Sequence, residues 1–346
     1  MSILSGISEF FGLDIGTTSI RLVELKGQGP VKSLVKYAYA PIDRDTSQSD
    51  SKVKNATTLN ALRSLIASAG VTTTNVVVGI PSQKVFTTVV EVDKLNPDEL
   101  TKSIQYQIPS FIPTPVEESK VDWAVIGDSP NNPAKVELLL SSVLNSVPQD
   151  TLDMLKSIGL NVIGFEPDNL ALTRALLDPN NTNPQMVFDL GNYNSDLVIS
   201  MNNSAMLTRS ISFGTDALIR SATQDLNIKK EQAEEVIFKF GLDKSKVHAQ
   251  VFQSILTPIN SLLGEIDKSI AFFANKYPNI KLDKIIVTGA ASTIPDFPLF
   301  LANHTGINVE IGNAWRNVLF DAKRQDELLE VSNYFGVATG LAERIE

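Results

Sequence analysis

The sequence predicts an α/β protein made of two related halves, with a small α+β unit inserted in the first. Three observations lead there. Phe11–Leu25 is an apolar strand running into Asp14-Ile15-Gly16-Thr17-Thr18, then an alternating strand with Ile20, Leu22 and Leu25 set against Arg21 and Glu24. Gln185–Ile199 repeats the pattern: a buried strand ends in Asp189-Leu190-Gly191, polar residues with the Ser195 hydroxyl follow, and a second alternating strand runs out. Each copy is followed by a further strand, Val31–Ile42 and Ala205–Phe213. Similarity at that separation is too long for a solenoid repeat and indicates a duplicated domain.

In chain order, Val31–Pro41 alternates as a third strand and Asp43–Asn55 is polar enough for a loop. Ala56, Leu59, Leu62, Leu65, Ile66 and Ala69 recur at helical spacing before Gly70, and Asn75–Ile80 is a continuous apolar run, as in a strand buried on both faces. The insertion then begins. Val85–Val92 alternates, Asn96-Pro97-Asp98-Glu99 opens a helix, and Pro109 is expected to stop it near Ile108. Strands Glu118–Gly127 and Lys135–Ser142 follow, then a helix over Pro148–Ile158. The insertion carries an apolar, proline-kinked edge at Tyr106, Ile108, Phe111, Ile112 and Pro113, which either packs under the helix or offers a docking surface.

Leu160–Phe165 reads as a buried strand delivering Glu166-Pro167 to a helix over Asp168–Leu177. Glu166 is either a water-polarising carboxylate at the strand-to-helix switch or an acid satisfying the helix N-terminus. In the second half, Ser212-Phe213-Gly214-Thr215 ends a strand and opens a helix whose backbone donors face a polar ligand. Lys230–Phe240 is a helix closed by Gly241, and Val251–Asn275 is a longer one that Pro258 kinks or starts. Lys284–Ser292 is a strand with a small-residue turn, and a helix follows from about Pro295. Val331–Glu346 is a helix whose close-set small residues, Gly336 to Ala342, suit tight packing beside a cleft.

Composition narrows the function. The chain has 346 residues, 43% hydrophobic and 20% charged, enough for about two domains and a substantial core. A net charge of −9 argues against nucleic acid and against electrostatic attachment to anionic lipid. The absence of cysteine excludes disulfides, thiolate catalysis and cysteine–zinc sites. No apolar run approaches the roughly 18 residues of a membrane span, so membrane attachment would go through partners. Met1–Phe11 is read as an untidy terminus rather than a signal peptide, and the protein as cytoplasmic. His248 and His304 are isolated and read as surface residues.

Backbone N–H groups around Gly16-Thr17-Thr18 are placed to form an anion nest, with Asp14 beside them suited to a hydrated Mg²⁺. Twin turns of this kind resemble the actin-like ATPase superfamily, a duplicated ribonuclease-H-like fold with nucleotide between its halves. The resemblance sharpens over the insertion. Val92–Leu100 leading into Gln107-Ile108-Pro109-Ser110-Phe111-Ile112-Pro113 is similar to the inserted subdomain of the type IV pilus assembly PilM family. Glu166-Pro167 with Ala171, Arg174 and Ala175, Ala233-Glu234 before Gly241, and Tyr334–Ala342 match other blocks of that family.

The resemblance implies ATP and Mg²⁺ as cofactors. It places Gly16, Thr17 and Thr18 in the first phosphate loop and Gly191 and Ser195 in the second. Asp14 and Asp189 hold Mg²⁺ through water, and Glu166 lies near the attacking water. Gly214 remains a further cofactor-binding position, Glu234 falls near the ribose, and Gly289 and Ser292 near the adenine. Two departures are Ile237 for a frequent lysine, which removes a ribose or phosphate contact, and Ala290 for a second glycine, which narrows the adenine slot. Both weaken the expected nucleotide affinity, and hydrolysis is expected to be weak or absent.

Subdomain 1A is expected over 1–80, 160–185 and 335–346, the insertion (1C) over 81–159, and the second half over 186–334. The implied function is a cytoplasmic scaffold, peripheral to the inner membrane through partners. It would grip the cytoplasmic tail of a PilN-type membrane protein at Tyr106, Ile108, Phe111, Ile112 and Pro113 and meet other pilus inner-membrane assembly proteins. The alternatives are an FtsA-like cell-division scaffold, expected to carry a C-terminal amphipathic helix not seen before Glu346, and a small-molecule kinase needing a second cleft acid.

Overall fold

The computed structural model describes residues 9–27, 29, 31–42, 51–245 and 249–345. The first half opens with β1 (Phe11–Ile15), β2 (Ser19–Lys26) and β3 (Lys32–Pro41), an antiparallel run, then α1 (Ser51–Ala69) and β4 (Asn75–Ile80), which lies parallel to β1. The insertion follows as β5 (Val85–Asp93), α2 (Pro97–Phe111), β6 (Ser119–Asp128) and β7 (Lys135–Leu144). The chain returns through α3 (Ser146–Lys156), β8 (Asn161–Pro167) and α4 (Asp168–Leu176).

The second half repeats the plan. β9 (Gln185–Leu190), β10 (Ser195–Met201) and β11 (Ser204–Ile211) run antiparallel, followed by α5 (Thr215–Leu226), α6 (Lys230–Phe240), α7 (Ala249–Lys276) and β12 (Lys284–Gly289), parallel to β9. Then come α8 (Phe297–Thr305), β13 (Asn308–Ile311), β14 (Val318–Leu319) and α9 (Gln325–Glu343). The sheets are ordered β14-β3-β2-β1-β4-β8, β11-β10-β9-β12-β13 and β5-β7-β6. Apart from β14, the two large sheets have the same order, the duplication expected from the repeated turns.

Each large sheet has its own core. Phe11, Leu13, Ile20, Leu22, Leu62 and Val78 cluster in the first half, and Phe188, Leu197, Ile199, Ile255, Leu262 and Phe297 in the second. Between them α4 and α9 cross. Leu172 and Leu176 of α4 pack with Val187 of β9 and Ile286 of β12, so α4 bridges the sheets. Gly340 of α9 lies against the Ala171 backbone, where a side chain would collide.

Several boundaries differ from the sequence reading. The loop expected over 43–55 ends early, because α1 starts at Ser51, and residues 43–50 lie outside the described residues. So do residues 1–8 of the leader and His248. Pro109 does not stop α2; it sits in the last turn, and the helix closes when the Ile112 N–H donates to Ile108 O at 3.2 Å. Pro258 likewise lies inside α7. α3, assigned by sequence to the insertion, buries Leu155 in the first-half core. The segment 314–334, assigned to the second half, packs on the first: β14 pairs with β3, and Ala314, Trp315, Val318 and Leu328 cluster with Val23 and Leu25. A short strand at a sheet edge and a tryptophan in a loop carry no periodicity from which to place them.

Candidate nucleotide cleft

Both Asp-x-Gly turns are built alike. The Gly16 N–H donates to Ser19 O at 3.0 Å, and the Gly191 N–H donates to Asn194 O at 3.0 Å. A side chain on Gly191 would stand 2.6 Å from that oxygen, so the reversal closes only on glycine. Each tip then holds two polar residues, Thr17-Thr18 and Asn192-Tyr193. Strand pairing sets Asp14 opposite Arg21 and Asp189 opposite Asp196. Opposed residues of an antiparallel pair project from one face, so each turn presents two side chains together.

The turns face one another across a cleft of about 730 Å³, lined by Asp14, Gly16, Thr17 and Thr18 from one side and Asp189, Gly191 and Asn192 from the other. That volume falls in the range of cofactor and small-molecule sites. Glu234 of α6, with Gly289 and Ala290, also lines it. Gly289 has φ +61°, and any side chain there would run into the Asp189 carboxylate and Leu190 O. Glycine at that position therefore lets β12 approach the second turn.

The electrostatics of the cleft are lopsided. Arg21 Nη1 donates to Asp14 Oδ2 at 2.7 Å, neutralising the first acid. Asp189 has an acid in the equivalent place. Burial, reinforced by Asp196, lifts the Asp189 carboxyl to about 7, and burial lifts Asp196 to about 6. Asp168, the first residue of α4, lines the same cleft and leaves a buried Oδ1 without a hydrogen-bond partner. Burial, then Asp14, Asp196 and Asp189, push its carboxyl well above the usual range. The pattern Asp-x₆-Arg/Asp, which pairs across a four-residue reversal, was available in the sequence to reveal Arg21 and Asp196. Asp168 had no such signal, because its orientation follows from how α4 leaves β8.

Four expected site residues lie elsewhere. Glu166 is absent from the cleft lining: it is 7% exposed and both its oxygens take the Arg174 guanidinium, with Nη1 to Oε2 at 2.9 Å. The connecting-segment acid that reaches the cleft is Asp168. The Ser195 hydroxyl donates to Phe213 O at 2.7 Å, bracing a strand end rather than facing a ligand. Gly214 lines a separate hollow of about 220 Å³, and the first N–H groups of α5 are taken by the second turn, Thr215 by Gly191 O and Asp216 by Asn192 O. The Ser292 hydroxyl folds back on Gly289 O at 2.7 Å, and Thr293 lines the cleft instead.

On the insertion, Ile108 and Ile112 are buried with Leu100, Ile104 and Leu138 under α2, so they cannot anchor a partner without unfolding that core. Phe111 packs partly against the same cluster, Pro113 is exposed, and Tyr106 is 86% exposed. His304 lies at the surface, with Nε2 2.8 Å from Asp267 Oδ2. No helix among the described residues is long and apolar enough to cross a membrane.

Known proteins with this architecture carry the same two-lobed plan. The structure described as "PilM-PilN type IV pilus biogenesis complex" superposes with a TM-score of 0.82 at 22% identity, covering 98% of this chain and 99% of that one. MreB 5 of Spiroplasma citri bound to AMPPNP gives 0.57 at 12% identity, covering 96% and 95%. The ethanolamine utilization protein EutJ from Carboxydothermus hydrogenoformans gives 0.55 at 14%, covering 96% and 89%. These likenesses establish the actin-like ATPase fold. A family model described as type IV pilus assembly protein PilM matches residues 12–346, and the chain belongs to that family.

Proposed function

We propose that this protein is an ATP-binding scaffold of the type IV pilus assembly machinery, working at the cytoplasmic face of the inner membrane and holding the tail of a PilN-type membrane protein. The observation that carries the nucleotide reading is the pair of matched acid-and-glycine turns facing each other across one cleft. The similar MreB 5 structure holds AMPPNP, and the similar pilus structure is a PilM–PilN complex.

The residues fit ATP with Mg²⁺. Phosphates suit the backbone N–H groups and hydroxyls of the first tip and the Asn192-Tyr193 tip of the second. Five acids with Arg21 among them leave the cleft short of positive charge, which a divalent cation would supply. Among the described residues no three such side chains are grouped closely enough to ligate a metal directly. A cation held through its own waters by Asp14 and Asp189 suits that arrangement. Glu234 lies toward the ribose, with Gly289, Ala290 and Thr293 toward the base. Asp168, which lines the cleft where Glu166 does not, takes the water-orienting place expected of Glu166. The partner peptide lies along the insertion, with Tyr106, Phe111 and Pro113 as its accessible apolar contacts.

Calorimetry tests each part. ATP is expected to bind with Mg²⁺ and far more weakly with EDTA. A PilN-type tail peptide is expected to bind the full chain with an affinity that ATP changes, as cleft closure shifts the population of one conformation. Absence of Mg²⁺-dependent ATP binding would remove the nucleotide reading. Equal peptide affinity with and without ATP would remove the coupling.

A further inference from the structure

The insertion is joined covalently to the first half, yet polar contacts tie it to the second. Glu137 of β7 is 1% exposed and sits opposite Glu91 of β5, a like-charge pair that needs compensation. The compensation comes from the end of α7. The Tyr277 hydroxyl donates to Glu137 Oε1 at 2.7 Å, and Lys276 Nζ lies 3.3 Å from the same oxygen. Lys276 Nζ also donates to Val89 O of β5 at 3.3 Å, while Asn131, between β6 and β7, donates to Lys276 O at 3.1 Å. Ile126 of β6 adds apolar contact with the second-half core. Tyr277 is itself 1% exposed, its ring 5.0 Å from that of Phe273 in α7.

A buried carboxylate is tolerated only while its partners stay in place. Here both the phenol and the ammonium belong to the second half. Sliding the insertion across the second half would leave Glu137 stranded beside Glu91. Among the described residues, no buried ion pair ties the insertion to the first half. α7, at 28 residues about 42 Å long, packs along α5 and α6. Those helices bring Thr215, Glu234 and Phe238 to the cleft.

We propose that the insertion and the second half move as one rigid body, locked by the Glu137–Tyr277–Lys276 contact, so that opening or closing the cleft displaces the insertion over the first half. Glu137, Lys276 and Tyr277 are positioning residues in this device. It rests on the nucleotide reading only for the ligand that closes the cleft; the lock itself stands on the contacts.

The native chain has no cysteine, so spin-label pairs go in without background. Lys102→Cys on α2 is paired with Leu299→Cys on α8, or with Leu319→Cys on β14; Leu299 and Leu319 are 60% and 58% exposed. In the nucleotide-free protein the insertion-to-second-half distance should be sharply distributed. Tyr277→Phe and Glu137→Gln, which keep side-chain shape, should each broaden it. Adding ATP and Mg²⁺ should shift the insertion-to-first-half distance and leave the other fixed. A distribution that stays sharp in both variants would overturn the lock, as would a nucleotide response confined to the insertion-to-second-half pair. Failure of ATP to bind, seen separately by calorimetry, would count against the nucleotide reading, while the variants would still decide the lock.

Discussion

The two turns that form the cleft share one backbone path and differ in the sign of the charge facing the acid. In the first, Asp14 faces Arg21 and is neutralised by a 2.7 Å bond. In the second, Asp189 faces Asp196; burial lifts both carboxyls, to about 7 and about 6, and the Asp196 charge reinforces the lift on Asp189. Geometry alone would make the turns interchangeable; electrostatics does not. The first is complete without ligand, whereas the second stores like-charge repulsion that a cation would relieve. The duplicated fold thus supplies one neutral wall and one wall waiting for charge.

Breaking the neutral wall should have the largest effect. Arg21→Met leaves Asp14 buried without its cation, and loss of one partner from such a pair typically costs about 3–5 kcal/mol. Urea unfolding at neutral pH should show a loss of that order, and a stability within experimental error of the parent would refute the asymmetry. The converse change, Asp196→Asn, removes the repulsion. It should raise the stability of the nucleotide-free protein at pH 8 by on the order of 1 kcal/mol, since one pKa unit corresponds to about 1.4 kcal/mol.

The same wall sets a pH dependence. An unfolded aspartate ionises near pH ~3.9, whereas Asp189 in the fold ionises at about 7. Below the lower value both states are protonated and the group favours neither. As pH rises the unfolded chain loses its proton first, so the Asp189 contribution to native stability falls until about pH 7 and is then constant. Thermal melts of the parent and of Asp189→Asn, compared from pH 4 to pH 8, should diverge over that window, with the variant flatter. A smaller effect is expected at a tip: Thr17→Ala removes one hydroxyl donor and should weaken Mg·ATP binding by about 2–10-fold, the worth of a single hydrogen bond. Calorimetry on the folded variant reads this directly, and an unchanged affinity would place Thr17 outside the phosphate contacts.

Much of this was legible beforehand because it is written locally. The turn glycines, the alternation of β2 and β10, the Asn96 cap of α2 and the Gly241 stop of α6 each act within a few residues. Even Asp14–Arg21 follows from counting across a tight reversal. Glu166 misled because a carboxylate at a strand end reads alike whether it points to a ligand or to an arginine eight residues on in the next helix. Ile108 and Ile112 misled because an apolar, proline-flanked edge has one appearance in sequence and two in space.

By itself the sequence determined the duplicated α/β plan, the place of the insertion and the two acid-and-glycine turns, since hydrophobic period and turn chemistry are short-range properties. Only the tertiary structure decided that Asp168 replaces Glu166 at the cleft, that β14 and Trp315 belong to the first sheet, and that Glu137 finds Tyr277 across a boundary between lobes. Those outcomes depend on which surfaces bury one another. A buried charge or ring takes its partner from whatever packing brings near, however distant in the chain.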